Sequence, residues 1–183
     1  MADTALRRDQ DVSGWGYAGL LGAVGYVAAS MVGTISPGTD DTTGWQLVAA
    51  GSAVLLLGSV IGVGRSGAAG TGAVGRIGLV VAGLGWVTVA LGFAVDALVG
   101  LEAVALYAGG TGLLFFGPLL AGIAVVRARV WTGARRWALL ASAMLLLPVA
   151  PLFGRDDALG ALAGAIWILG WLWVGAALVR RRA

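Results

Sequence analysis

Ala103–Val126 reads AVALYAGGTGLLFFGPLLAGIAVV, and no charged residue interrupts it. A helix needs about 20 mostly apolar residues to cross the hydrocarbon of a bilayer. This stretch meets that length and has no polar stripe of the kind a water-facing helix carries. Working outward, five further segments of the same kind appear: Trp15–Thr34, Trp45–Gly64, Ile77–Val95, Trp137–Leu152 and Ala158–Val179. The fifth of the six, Trp137–Leu152, is short and holds Pro148 and Pro151, which predicts a kink or an end before Pro151. Composition agrees, with 59% of the 183 residues hydrophobic and 11% charged. A soluble domain carries about a quarter charged residues. The expected fold is therefore an all-α integral membrane bundle of six transmembrane helices. A tail, residues 1–14, precedes a single bundle over 15–183, divided into hairpins 15–64, 77–126 and 137–179.

Charge placement predicts how the bundle lies. With the N-terminus in the cytoplasm, Arg7, Arg8, Arg65, Arg76, Arg127, Arg129, Arg135, Arg136, Arg180, Arg181 and Arg182 face inward, and Arg155 alone faces outward. By the positive-inside rule this split places both termini in the cytoplasm. Arg7-Arg8 then reads as topogenic charge before an uncleaved first helix rather than as an export signal. Trp15, Trp131 and Trp137 fall at inner boundaries and Trp45 at an outer one, whereas Trp86 falls near mid-membrane. Every basic residue is Arg, which with the Ala, Gly and Val content points to the plasma membrane of a GC-rich prokaryote.

The first two hairpins share a pattern. Gly25-Tyr26-Val27 is followed sixty positions later by Gly85-Trp86-Val87. The returning stretch Gly51–Gly58 has its counterpart in Gly110–Gly117, an offset of 59. In the third hairpin Gly170 takes the place of Gly58 and Gly117. All three hairpins rise, turn outside and return to an arginine, which predicts a parallel repeat and a pseudo-threefold bundle rather than the inverted repeat of many transporters.

Glycine makes up 32 of 183 residues, more than twice the average share of about 7%. Lipid gives apolar helices no hydrophobic reason to associate, so small residues that let backbones approach supply the contact. Four ridges are candidates for helix packing: Gly25, Ala29 and Gly33; Gly58 and Gly62; Gly117 and Ala121; Gly160 and Gly164. Trp167, Trp171 and Trp173 are too bulky for such ridges and are expected to face lipid or fill a groove on another subunit.

Missing residues exclude chemistry. There is no Cys, His, Lys or Asn. That removes thiol redox chemistry, the usual zinc, haem and iron–sulfur ligands, Schiff bases and N-glycosylation. No ionisable residue falls near the middle of a span, which argues against a proton- or ion-coupled carrier. Ser30, Ser52, Ser59, Thr88, Thr111 and Ser142 have no base within reach and read as helix-to-carbonyl hydrogen bonds. The expectation is no enzymatic activity and no cofactor. The outer acids Asp40, Asp41, Asp96, Glu102, Asp156 and Asp157 are candidate oxygen ligands for a divalent cation if the outer turns converge. The inner arginines Arg127, Arg129, Arg135, Arg136, Arg180, Arg181 and Arg182 are candidates for anionic lipid head groups.

Six spans in repeated Gly-rich hairpins resemble the HdeD-type small membrane proteins. Gly25-Tyr26-Val27, Gly85-Trp86-Val87, the returning Gly51–Gly62 and Gly110–Gly122 stretches, and Pro37 before an outer loop carry the resemblance. It implies a bundle of repeated hairpins linked to acid and envelope stress, and supplies no catalytic residues. The leading expectation is thus a non-enzymatic membrane protein that packs against itself, lipids or a larger membrane complex, with no nucleic-acid partner. A passive facilitator lined by Ser52, Ser59, Thr88 and Thr111 is the alternative. An outer-rim enzyme using Asp96 and Glu102 is the remote one.

Overall fold

A computed structural model describes residues 2–35, 43–101, 103–153 and 158–179; for the first helix, side-chain surroundings are described over 12–32. These residues form α1 (Ala2–Ile35), α2 (Thr43–Arg65), α3 (Ala73–Val99), α4 (Val104–Ala128), α5 (Ala138–Val149) and α6 (Ala158–Val179). A 3-10 turn, Gly133–Trp137, leads into α5, and another, Ala150–Leu152, follows it. Six segments are long and apolar enough to cross a membrane: Val12–Val32, α2, α3, α4, Gly133–Leu152 and α6.

Helix limits follow local chemistry. α6 has the predicted bounds, and α5 stops at Val149, ahead of Pro151 as its prolines require. α1 begins at Ala2, well before the expected start at Trp15. Residues 2–13 contain no Gly or Pro, and the good helix formers Ala5, Leu6, Arg7, Arg8 and Gln10 sit together in their middle, so nothing breaks the helix before the membrane. α3 ends at Gly100, whose left-handed φ of 69° suits a residue without a side chain. Pro118 lies inside α4, where its missing N–H leaves Leu114 without the usual i+4 donor.

Each helix packs on its sequence neighbours, and α6 closes the ring on α1. Contacts run in opposite senses along each pair. On α1 and α2, Gly25 meets Ser52 and Gly58 meets Ala18; on α3 and α4, Gly92 meets Tyr107 and Gly75 meets Ala124. Neighbours are thus antiparallel all round the ring. A regular hexagon of helices about 9 Å apart would leave a lumen as wide as one helix. Two features remove it here. α2 touches α6 beneath α1, and large side chains occupy the axis: Trp86 and Trp171 are 0% exposed and Trp167 is 2%.

This corrects the expectation that Trp167 and Trp171 face lipid or another subunit. They are too bulky for a close helix pair, but the axis of a six-helix ring is not such a pair and must be filled by large groups. Trp173, on the opposite face of α6, is 38% exposed and does face outward.

Candidate functional site: the aromatic axis and the α3–α4 clamp

The axis begins at Trp86 on α3. Its ring stacks on Trp167 (centroids 5.5 Å, interplanar angle 19°) and meets Trp171 edge-on at 5.1 Å. Tyr26 on α1 stands edge-on to both Trp86 and Trp167, at 6.1 and 6.3 Å. It also touches Phe93 at 5.9 Å. Phe93 carries the chain of rings on to Tyr107 at 5.0 Å and Trp45 at 6.1 Å. Phe153, just past α5, closes the other side against Trp167 at 5.8 Å. Edge-to-face pairs at these separations each add about 0.5–1.5 kcal/mol beyond the area they bury.

A polar clamp ends this chain of rings. Asp96, at the end of α3, accepts from the Tyr107 hydroxyl at 2.6 Å and from the Ala103 backbone N–H at 2.8 Å. One oxygen therefore satisfies the start of α4 while the other ties down its first turn. Gly92 leaves room for the Tyr107 ring, because a Cβ there would lie 2.9 Å from ring atom Cε1. Neither the pairing nor the role of Gly92 was foreseen from sequence. The available signal was a carboxylate at the end of one span and a tyrosine one turn into the next. We predict that Asp96→Ala and Tyr107→Phe each destabilise the bundle by about 1–2 kcal/mol in detergent unfolding. The double variant should lose less than the sum, because both changes remove one hydrogen bond. Full additivity would show that the two groups act separately.

Of the six outer acids, the described residues include the side chain of Asp96 alone; Asp40, Asp41, Glu102, Asp156 and Asp157 lie outside them. No group of three or more acidic residues comes together among the described residues. Asp96 is engaged within the α3–α4 hairpin.

Among the inner arginines, Arg127 and Arg129 are exposed, and Arg129 ends α4 with a left-handed φ of 54°. Arg135 and Arg136 are half-buried. The Arg136 guanidinium lies over Trp137 at 5.2 Å, and its Nε is buried without a hydrogen-bond partner. Trp131, between these pairs, is buried. Arg180, Arg181 and Arg182 lie outside the described residues. Arg65 makes a similar contact over Trp15, at 5.5 Å.

The candidate packing residues are placed as follows. Gly25 faces Ser52, Gly58 faces Trp15 and Ala18, and Gly62 faces Trp15 and Leu178. Gly117 lies against the backbone of Ala82, and Ala121 against Gly78. Ala29 is buried, and Gly164 is buried with Ser30 Oγ 3.9 Å from its Cβ position. Gly160 is half-buried, and the surroundings of Gly33 lie outside the described set. Sequence reasoning missed partners as close as these. Gly16 and Gly175 face each other across α1 and α6, Gly122 meets the Leu140 backbone, and Gly170 meets Ser142.

The hydroxyls do not share a lining. Ser52 Oγ donates to the Val48 carbonyl at 2.7 Å and faces α1. Ser59 is buried against Gly19, also on α1. Thr88 is turned away from the axis and donates to Leu84 at 2.8 Å, while Thr111 is half-buried on α4.

No family model matches the chain, and neither does any curated protein or solved structure. The class defined by the fold is that of helical proteins with six membrane-capable helices, consistent with a multi-pass membrane protein.

Proposed function

We propose that this is a non-enzymatic multi-pass protein of a prokaryotic plasma membrane, with both termini in the cytoplasm. It works by packing against a second copy, lipids or a larger membrane complex, as an accessory or envelope-stress component. The supporting observation is how its polar and small groups are divided. The hydroxyls of Ser30, Ser52, Thr88 and Ser142 donate to carbonyls on their own helices, and Asp96 is taken up by the clamp. One group of small residues, by contrast, meets nothing. On α4, Ala105, Ala108 and Gly109 are exposed, and the Cβ positions of Gly109 and Gly112 have no atom within 4 Å. A small-residue face of that kind suits close approach by another helix.

The repeat reading has support in the packing. Gly58 meets Ala18, and at offsets of 59 and 60 Gly117 meets Gly78. That arrangement suits repeated helical hairpins, as the HdeD-type resemblance implies. At the inner face, Arg127, Arg129 and Arg136 would hold anionic head groups, the buried Arg136 Nε being an unused donor. Native mass spectrometry of protein extracted gently from its own membrane tests this reading. The expected result is a stoichiometric second copy or foreign subunit with bound anionic lipid. A bare monomer free of retained lipid would overturn it.

A further inference from the structure

The connection between α4 and α5 gathers cations at one end of the bundle. It runs from Arg127 through Arg129 and Trp131 to the 3-10 turn that holds Arg135 and Arg136. No acid occurs from Ala103 to Arg155. Asp96, the one acid whose side chain is described, sits at the far end of α3 and is taken up by Tyr107. Arg135 is already engaged. Arg127, Arg129 and Arg136 have no acid partner among the described residues.

The connection is held in place. Trp131, in its middle, is buried in the core cluster, and the 3-10 turn packs on α4, α5 and α6. Arg129 is the one described residue other than glycine with a positive φ, 54°. It ends α4, where its backbone N–H donates to the Val125 carbonyl at 3.3 Å. Glycine serves that conformation without strain, so what arginine adds there is its cation. Arg136 lies over the Trp137 ring, which is 41% exposed. Stacking fixes the plane of that guanidinium, and its buried Nε has no partner.

Location decides what these cations meet. One membrane-capable helix ends at Ala128 and the next such segment begins at Gly133. The arginines therefore stand at the bilayer surface, where lipid head groups present phosphodiesters. Arginine pairs with phosphate through two parallel N–H groups. One phosphodiester carries a single negative charge and leaves three cations poorly neutralised. Two phosphodiesters in one head group come nearer to balance. They offer one anion to Arg127 and Arg129, before Trp131, and one to Arg136, after it. The second then binds at the effective concentration set by the first.

We propose that the α4–α5 connection binds one anionic lipid whose head group carries two phosphodiesters, held by Arg127 and Arg129 on one side of Trp131 and by Arg136 on the other. This rests on the reading above that these arginines hold anionic head groups, and it names the lipid. The test uses the full chain in a neutral detergent, with native mass spectrometry to count bound lipid. The probes are tetraoleoyl cardiolipin, dioleoyl phosphatidylglycerol at twice the concentration to match its phosphate, and inorganic phosphate. One cardiolipin should be retained per chain, saturably and about tenfold or more tighter than phosphatidylglycerol. Inorganic phosphate at matched concentration should not displace it. Arg129→Gly should weaken cardiolipin binding about fivefold, as one lost arginine contact implies, while thermal stability stays at least unchanged because glycine suits the turn. Arg136→Gln should weaken binding similarly. Arg8→Gln, on a helix that packs on neither α4 nor α5, should not. The comparison of lipids on the unaltered protein stands even if a variant fails to fold. Equal affinity for the two lipids, with both weakened by Arg129→Gly, would overturn the two-phosphate site and keep the general head-group reading. Displacement by matched inorganic phosphate would assign the arginines to a soluble anion and overturn the site. Retention of neither lipid, or unchanged affinity in the folded Arg129 and Arg136 variants, would overturn both.

Discussion

Replacing Gly117 by leucine will stop the protein from accumulating in the membrane, and replacing it by alanine will cost about 1–3 kcal/mol in detergent unfolding. A Cβ at position 117 would lie 2.7 Å from Ala82 Cα and 2.9 Å from Ala82 Cβ. Those atoms belong to a helix backbone and cannot rotate away. Across the same interface, a Cβ on Gly78 would lie 2.9 Å from the Gly117 carbonyl oxygen and 3.0 Å from Ala121 Cα. The two helices therefore touch backbone to backbone, and one added methyl must part them along their length. Separation weakens many dispersion contacts at once, and lipid supplies no compensating drive to hold the pair together. Gly112→Leu is the matched control, on the same helix but with open space at Cβ. It should change unfolding by less than about 0.5 kcal/mol while weakening any association through that face. Equal damage from both substitutions would show that the close α3–α4 approach does not hold the fold.

This contrast shows what the sequence made legible and what it hid. Spans were readable because length and apolarity suffice to define them, and the prolines of α5 marked its end. Gly117 was readable as a packing residue from its spacing to Ala121. Gly78, Gly122 and Gly170 are equally close to neighbours but were not singled out as packing ridges. The reason is physical. In a soluble helix the buried stripe is apolar and the other face polar, so the pattern reveals direction. In these helices both faces are apolar, so Gly112, which meets nothing, and Gly117, which meets Ala82, look alike. The same loss of contrast hid the inward turn of Trp167 and Trp171. Asp96 was visible as a lone carboxylate at the end of a span. Its partnership with Tyr107 was not, since it depends on the α3–α4 turn bringing the start of α4 back over it.

Trp86→Ala should be the most damaging change on the axis, costing about 3–5 kcal/mol in reversible unfolding. Trp86 is fully buried and touches Tyr26, Trp167 and Trp171, so truncation removes three ring contacts and leaves a void that ring-filling neighbours close only in part. Trp173→Ala, at a 38% exposed position on the outer face, should cost less than about 1 kcal/mol. Trp86→Phe should fall between them, because it keeps most of the ring contact and also removes a buried N–H that has no partner. The Ala variant has a second readout that separates a packed axis from a pore. The void would be lined by Tyr26, Trp167 and Trp171 and closed off by the buried core around them, so any water held by the indole N–H groups stays trapped and forms no path across the bundle. The variant in liposomes should therefore remain as impermeable to small polar solutes as the unaltered protein, despite its lost stability. Rapid flux through the variant, with little loss of stability, would mean that Trp86 is a removable plug in a wet channel. It would restore the facilitator reading that the filled axis argues against.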